Sequence, residues 1–338
     1  MTLKNLALFL LLSVFASLSV FADNGREPFF KTDNAECSVW GYANIVGGTD
    51  SDFTANAIRL RTSCKYKSFS FFMENDIAGL NDEVAANYIT QAWVAYHFGK
   101  EGMVGDMFGD TTIRAGSIVT AARMYLPAAY ETIPVEGPAN PFHPYGYGVQ
   151  IQTKITPNLL FVGDVTGTTT PAFDDSERWN GTETSERLVW DALHDGEMGK
   201  TNLQLSVFHQ ESDTADRIGF GIKYNPTENL DLYGGLYRTD EKIKGENTGG
   251  YALADYKLWS MENNALDLRI MGMVEMKGGS SPYTGFSGGL SLVLPQNGGY
   301  GRFAGTSATV DFTHSNTTIN DGMDTDDNLL MTRIRIFF

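Results

Sequence analysis

The sequence predicts an all-β protein: one transmembrane antiparallel β-barrel of about 16 strands, preceded by an export signal. Three observations carry this reading. After residue 22 no run approaches the ~18 consecutive apolar residues that a membrane-spanning helix needs. From Cys37 onward, segments of period-two alternation recur with turn chemistry between them. The chain closes on an amphipathic strand whose last residue is the aromatic Phe338, although termini ordinarily fray.

The elements follow in order. Lys4 precedes an apolar run from Leu6 to about Ala16, and Val20-Phe21-Ala22 offers an uncharged residue at −3 and a small one at −1 of a cleavage site. Residues 1–22 therefore read as a signal peptide and 23–338 as a single barrel domain. The competing reading, an N-terminal membrane anchor, is disfavoured because the apolar run is short and a small-residue site follows it. The expected strands are 37–46, 56–65, 68–76, 88–99, 111–117, 145–156, 159–169, 186–193, 201–212, 217–226, 230–241, 249–261, 265–278, 284–295, 306–316 and 329–338. In the clearest, Leu203, Leu205 and Val207 alternate with Gln204 and Ser206, and Leu266, Leu268 and Ile270 with Asp267 and Arg269.

Connection length supports the count. If the first strand leaves the periplasm, even-to-odd connections are periplasmic and short. Pro157-Asn158, Thr227-Glu228-Asn229 and Glu262-Asn263-Asn264 fall on that side, and 100–110 is the exception. The long connections 170–185 and 317–328 fall outside, as does the longest, 118–144, between strands five and six.

Composition narrows the function. With 25 Lys and Arg against 41 Asp and Glu, the net charge of −16 repels phosphate backbones, so no nucleic-acid partner is expected. Two cysteines are too few for a Cys-rich metal site. Cys37 and Cys64 flank the turn run 47–52 symmetrically, which sets them opposite each other in the first hairpin, within disulfide reach in an oxidising compartment. Two independent thiols are the alternative. The five His lack metal-ligand spacing, and no Gly-x-Ser-x-Gly elbow is present. No metal, cofactor or catalytic group is expected.

Alternation also sorts the charges. Cations on the water-facing phase are Arg59, Arg61, Arg114, Lys154, Arg217, Lys223, Lys257, Arg269, Lys277, Arg333 and Arg335. Acids on that phase are Asp164, Asp231, Asp255, Asp267, Glu275 and Asp311, which leaves the wall at about +5. Closing the barrel brings Arg333 and Arg335 beside strand one, with Arg59 and Arg61 on its other side and Trp40 and Tyr42 between. The remaining acids fall mostly outside. Asp324-Thr325-Asp326-Asp327-Asn328 has the look of a calcium loop but lacks its glycine and its closing glutamate.

The signal peptide, the strand count, the long fifth connection and Phe338 together resemble the general porins of Gram-negative bacteria, as do 92–96 and 113–117 for the fourth and fifth strands. That resemblance implies a water-filled channel in the outer membrane, a homotrimer amid lipid and lipopolysaccharide, and passage of small hydrophilic solutes and ions. It also implies that the third extracellular loop, here 118–144, folds inward. Its Glu131 and Glu136, with Arg123 as its one cation, would then face Arg59, Arg61 and Arg114 across a constriction. The loop carries Pro134-Val135-Glu136-Gly137-Pro138 where enterobacterial members have Pro-Glu-Phe-Gly-Gly. A substrate-specific channel for an anion such as phosphate, or for a sugar stacked on Trp40 and Tyr42, is the alternative. An outer-membrane enzyme or a soluble secreted β-protein is a more distant one.

Overall fold

The computed structural model describes residues 30–337, apart from 49–53, 78–86, 99–108, 123–141, 143–144, 168–180, 195–200, 243–244, 262–265, 280–281, 296–305 and 320–325. A two-residue strand, β1 (Phe30–Lys31), precedes sixteen long ones. These are β2 (Ala35–Gly48), β3 (Thr54–Tyr66), β4 (Phe69–Ile77), β5 (Asn87–Phe98), β6 (Asp110–Val119), β7 (Tyr145–Thr156), β8 (Leu159–Gly167) and β9 (Thr182–His194). Then follow β10 (Thr201–Ser212), β11 (Ala215–Thr227), β12 (Leu230–Glu241), β13 (Gly245–Ser260), β14 (Asp267–Gly278), β15 (Tyr283–Pro295), β16 (Thr306–Ile319) and β17 (Asp326–Phe337). Every long strand pairs antiparallel with its neighbours in sequence, and β17 pairs with β2 from Met331↔Gly48 to Phe337↔Tyr42, closing the barrel.

The sixteen long strands coincide one for one with the expected ones. Several run further, since β9 starts at Thr182 and β13 at Gly245, where polar residues continue the backbone ladder past the apolar alternation. The short β1 was not expected. It pairs Phe30↔Cys37 and Lys31↔Glu36 on the edge of β2 beyond the last β17 pair. Turn length separates the two barrel ends less cleanly than the sequence suggests. Pro157-Asn158 lies on one side, and the equally short Asp213-Thr214 joins β10 to β11 on the other.

The two faces are chemically inverted relative to a soluble fold. Outward positions are exposed and apolar: Val207, Ile218, Phe220, Leu236, Tyr256 and Ile270. Inward positions hold the buried charge, including Glu74 at 0%, Arg217 at 2% and Glu183 and Asp255 at 1% relative exposure. A solvated sandwich buries its apolar set and exposes its ions; an outward apolar belt around a polar interior suits hydrocarbon. Cys37 lies directly opposite Cys64 and is bonded to it, with Cα atoms 4.1 Å apart. The bridge takes the outward phase of β2 and β3, the phase of Val39 and opposite to Arg61.

Candidate functional site: the inward wall of the barrel

Register assembles the wall. Cross-strand neighbours on one face are the units that interact in a sheet. Trp40 on β2 faces Arg61 on β3, Arg61 faces Glu74 on β4, and Glu74 faces Gln91 on β5. One residue pair along, Phe72 faces Trp93, and Trp93 faces Gly116 of β6. Gly116 has φ +135°, and a Cβ there would lie 2.2 Å from the Ala92 carbonyl oxygen, so only glycine fits beside the indole strand.

The two arginines of β3 converge on one acid. Glu74 accepts from Arg61 Nε and from Gln91 Nε2 at 3.4 Å, while Arg59 Nη1 lies 3.6 Å from its Oε1. Both guanidiniums also stand over the Tyr42 ring, 5.9 and 5.5 Å from its centroid. Arg59, Arg61, Trp40 and Tyr42 are therefore brought together as expected, and the basic patch has an acid at its centre. The sequence carried that signal: Arg61 and Glu74 are equidistant from the turn at Lys67-Ser68, and paired residues in a hairpin are. On β17, Arg333 pairs with Val46 and Arg335 with Asn44, a step along β2 from Tyr42. Arg333 is buried, and the side chain of Arg335 lies outside the described residues.

Arg114 has different company. It lies opposite the small Ala95, with its guanidinium 4.8 Å from the Trp93 ring centroid. Among the described residues neither Arg114 Nε nor Trp93 Nε1 has a hydrogen-bond partner, and no ion pair to Arg114 is present. Arg123, Glu131 and Glu136 lie outside the described residues, so their position facing the wall is not described.

The charge tally changes. Glu74, Glu183, Asp191, Glu241 and Asp110 also take inward positions, as does the cation Arg187, and Glu36 and Lys65 add an opposed pair on that phase. The expected excess of about +5 largely disappears, because Asp110 and Glu183 lie before the expected starts of their strands and Glu74 and Asp191 lie on strands with apolar residues in both phases. Arg217 pairs with Glu183 at 3.6 Å and Glu241 at 3.5 Å; Arg269 pairs with Asp231 at 2.9 Å and Asp255 at 3.0 Å. Lys154 lies 3.4 Å from Asp110. Arg187 is buried against the Phe208 ring at 5.3 Å, and its Nε has no hydrogen-bond partner among the described residues.

Across the barrel the wall turns apolar, which alternation did not anticipate. Phe208, Tyr237, Tyr251, Leu253, Met271 and Met273 are inward-facing, buried, and clustered with Ala122 and Phe142. Both latter residues belong to the connection between β6 and β7, and Phe142 meets Phe208 edge-on with centroids 6.0 Å apart. At the connection's start, Thr120, Ala121 and Ala122 are fully buried, and the Ala121 N–H donates to Asp164 Oδ2, which also accepts from Gln150 Nε2 at 3.0 Å. Asp164 is thus occupied in holding the connection.

No protein-family model and no curated protein matches the chain. Solved structures do. The anion-selective porin from Comamonas acidovorans aligns with TM-score 0.62 and 11% identity over 90% of this chain and 100% of that one. The outer membrane channel DcaP of Acinetobacter baumannii gives 0.61 and 11% over 91% and 99%. Salmonella typhi OmpF, solved with daunomycin, gives 0.62 and 11% over 91% and 99%. At that identity the likeness is one of architecture, and the fold of this chain is that of the Gram-negative outer-membrane porins.

Proposed function

We propose that the chain forms a water-filled channel in the bacterial outer membrane, through which small hydrophilic solutes and ions diffuse passively. The observation that carries this is the closed barrel with apolar residues outward and charged residues inward. The structural neighbours are porins and channels, which supports the same reading. In this reading residues 1–22 are removed on export, the barrel assembles as a homotrimer among lipid and lipopolysaccharide, and it needs no cofactor and has no catalytic role. The connection between β6 and β7 folds inward, supported by the buried Ala122 and Phe142, and sets Glu131, Glu136 and Arg123 opposite Arg59, Arg61 and Arg114.

Planar-bilayer recording tests it. Purified protein is expected to give discrete, ohmic conductance steps in KCl, and detergent-free solubility of the mature chain without conductance would refute the channel. An unheated gel band that collapses on boiling tests the trimer. A second reading, a channel preferring anions, is favoured by Arg114 and Arg187, which form no ion pair among the described residues. A reversal potential in a salt gradient separates the two.

A further inference from the structure

A run of aromatic rings lines the inward wall of β2 to β5. Trp40 and Phe72 have centroids 6.1 Å apart, and Phe72 and Trp93 stack at 5.4 Å with planes 22° apart. The Arg114 guanidinium closes the run over Trp93. All three rings are partly exposed on a face otherwise rich in ions. Apolar faces left in a polar lumen cost free energy unless something covers them, and flat rings are covered best by another flat π-system in offset contact.

The polar groups at the end of the run restrict the ligand further. Trp93 Nε1 and Arg114 Nε are both donors shut off from solvent, and neither has a hydrogen-bond partner among the described residues, so the donors at this end of the run are under-satisfied. A group that reaches the half-buried Arg114 side chain from the lumen is favoured if it supplies acceptors and is negative. A carboxylate does both, and its two oxygens match the guanidinium fork. A sugar hydroxyl brings a proton of its own and no charge. The neighbouring arginines differ: Arg59 and Arg61 engage Glu74, whereas Arg114, at one end of the aromatic run, forms no ion pair among the described residues. That asymmetry orients a ligand, with its anionic group at Arg114 and its ring along Trp93 and Phe72.

From this we infer that Trp40, Phe72, Trp93 and Arg114 form a subsite on the channel wall for small aromatic carboxylates. The inference rests on the channel reading and adds a solute class to it. Binding at a conducting wall is weak enough to release, because a site that holds its ligand blocks transport.

The test uses the full-length protein in planar bilayers, with benzoate, acetate and benzyl alcohol at equal concentration. Benzoate is expected to reduce the KCl current saturably, while acetate and benzyl alcohol leave it nearly unchanged. Arg114→Gln and Trp93→Ala are each expected to raise the half-blocking benzoate concentration at least tenfold, with block measured relative to each variant's own KCl current. Equal block by acetate overturns the role of the rings, equal block by benzyl alcohol overturns the role of Arg114, and block unchanged in both variants overturns the site. If a variant does not insert, Trp93→Phe and Arg114→Lys are read in its place. The first is expected to keep most of the block; the second keeps the charge, loses the guanidinium fork and is expected to fall in between. Absence of conductance by the parent protein refutes the channel alone. Tryptophan fluorescence in detergent then decides the subsite: saturable quenching by benzoate and not by acetate supports it, and no difference overturns it.

Discussion

Replacing Glu74 by Gln tests the organisation of the wall most directly. The carboxylate is fully buried, with Arg59 and Arg61 about one-fifth exposed on the lumen side. A unit charge pair at 3.6 Å attracts by about 4–5 kcal/mol at an effective dielectric constant of ~20. Most of that is offset by the cost of holding the carboxylate out of water, and glutamine keeps an acceptor for one guanidinium. A net loss of about 1–3 kcal/mol is therefore expected. The functional consequence follows from the same geometry: the two guanidiniums lose the carboxylate on which they converge. In a KCl gradient the reversal potential is expected to move towards chloride preference. The shift should be severalfold larger in 0.1 M than in 1 M salt, because the Debye length falls from about 10 Å to about 3 Å. Unfolding in urea, followed by tryptophan fluorescence, reads the stability. The double variant Glu74→Gln with Arg61→Gln should recover most of the selectivity. Unchanged selectivity together with unchanged stability in the single variant would refute the convergence of both arginines on Glu74.

Other expected outcomes are independent of that one. Cys37→Ser with Cys64→Ser opens a link across a sequence separation of 27, expected to cost about 3–4 kcal/mol of unfolding stability by loop entropy, read as an earlier heat transition of the folded gel band. Gly116→Ala places a methyl group 2.2 Å from a backbone oxygen and holds alanine at positive φ, so the yield of heat-modifiable folded barrel should fall sharply. Asp164→Ala removes the acceptor that holds Ala121 and should raise open-channel noise or alter conductance while the barrel still inserts. Arg217→Met removes the buried guanidinium that pairs with both Glu183 and Glu241 and is expected to cost about 3–5 kcal/mol, reduced when Glu183→Gln is added.

The sixteen long strands were legible because period-two alternation encodes which side of a barrel faces hydrocarbon. The hairpin cysteines were legible because two positions symmetric about a turn must oppose each other. Glu74 was missed because Phe69, Phe71 and Met73 on one phase meet Phe72 on the other, so the strand shows no clean polar side. The apolar patch of Phe208, Tyr251 and Met271 was missed for a related reason. Alternation reports contact with lipid or water, and these inward residues contact neither, since part of the chain's own connection lies on them. Arg59, Arg61 and Arg114 share one residue type and one phase, yet only register shows that the first two meet an acid and the third meets an indole.

The outward disulfide has a consequence for assembly. Fifteen of the sixteen pairings between long strands join neighbours in sequence and can form progressively, whereas β17 meets β2 only across nearly the whole chain. That last pairing must find its alignment on a pre-existing edge, and β2 is the template. A slip of one residue between β2 and β3 would put the two strands out of phase, turning either Trp40 and Tyr42 or Arg59 and Arg61 into lipid. Cys37–Cys64 fixes the offset of those two strands covalently. The bond therefore acts as a ruler for closure, and the alignment it sets is inherited by every side chain that lines the seam.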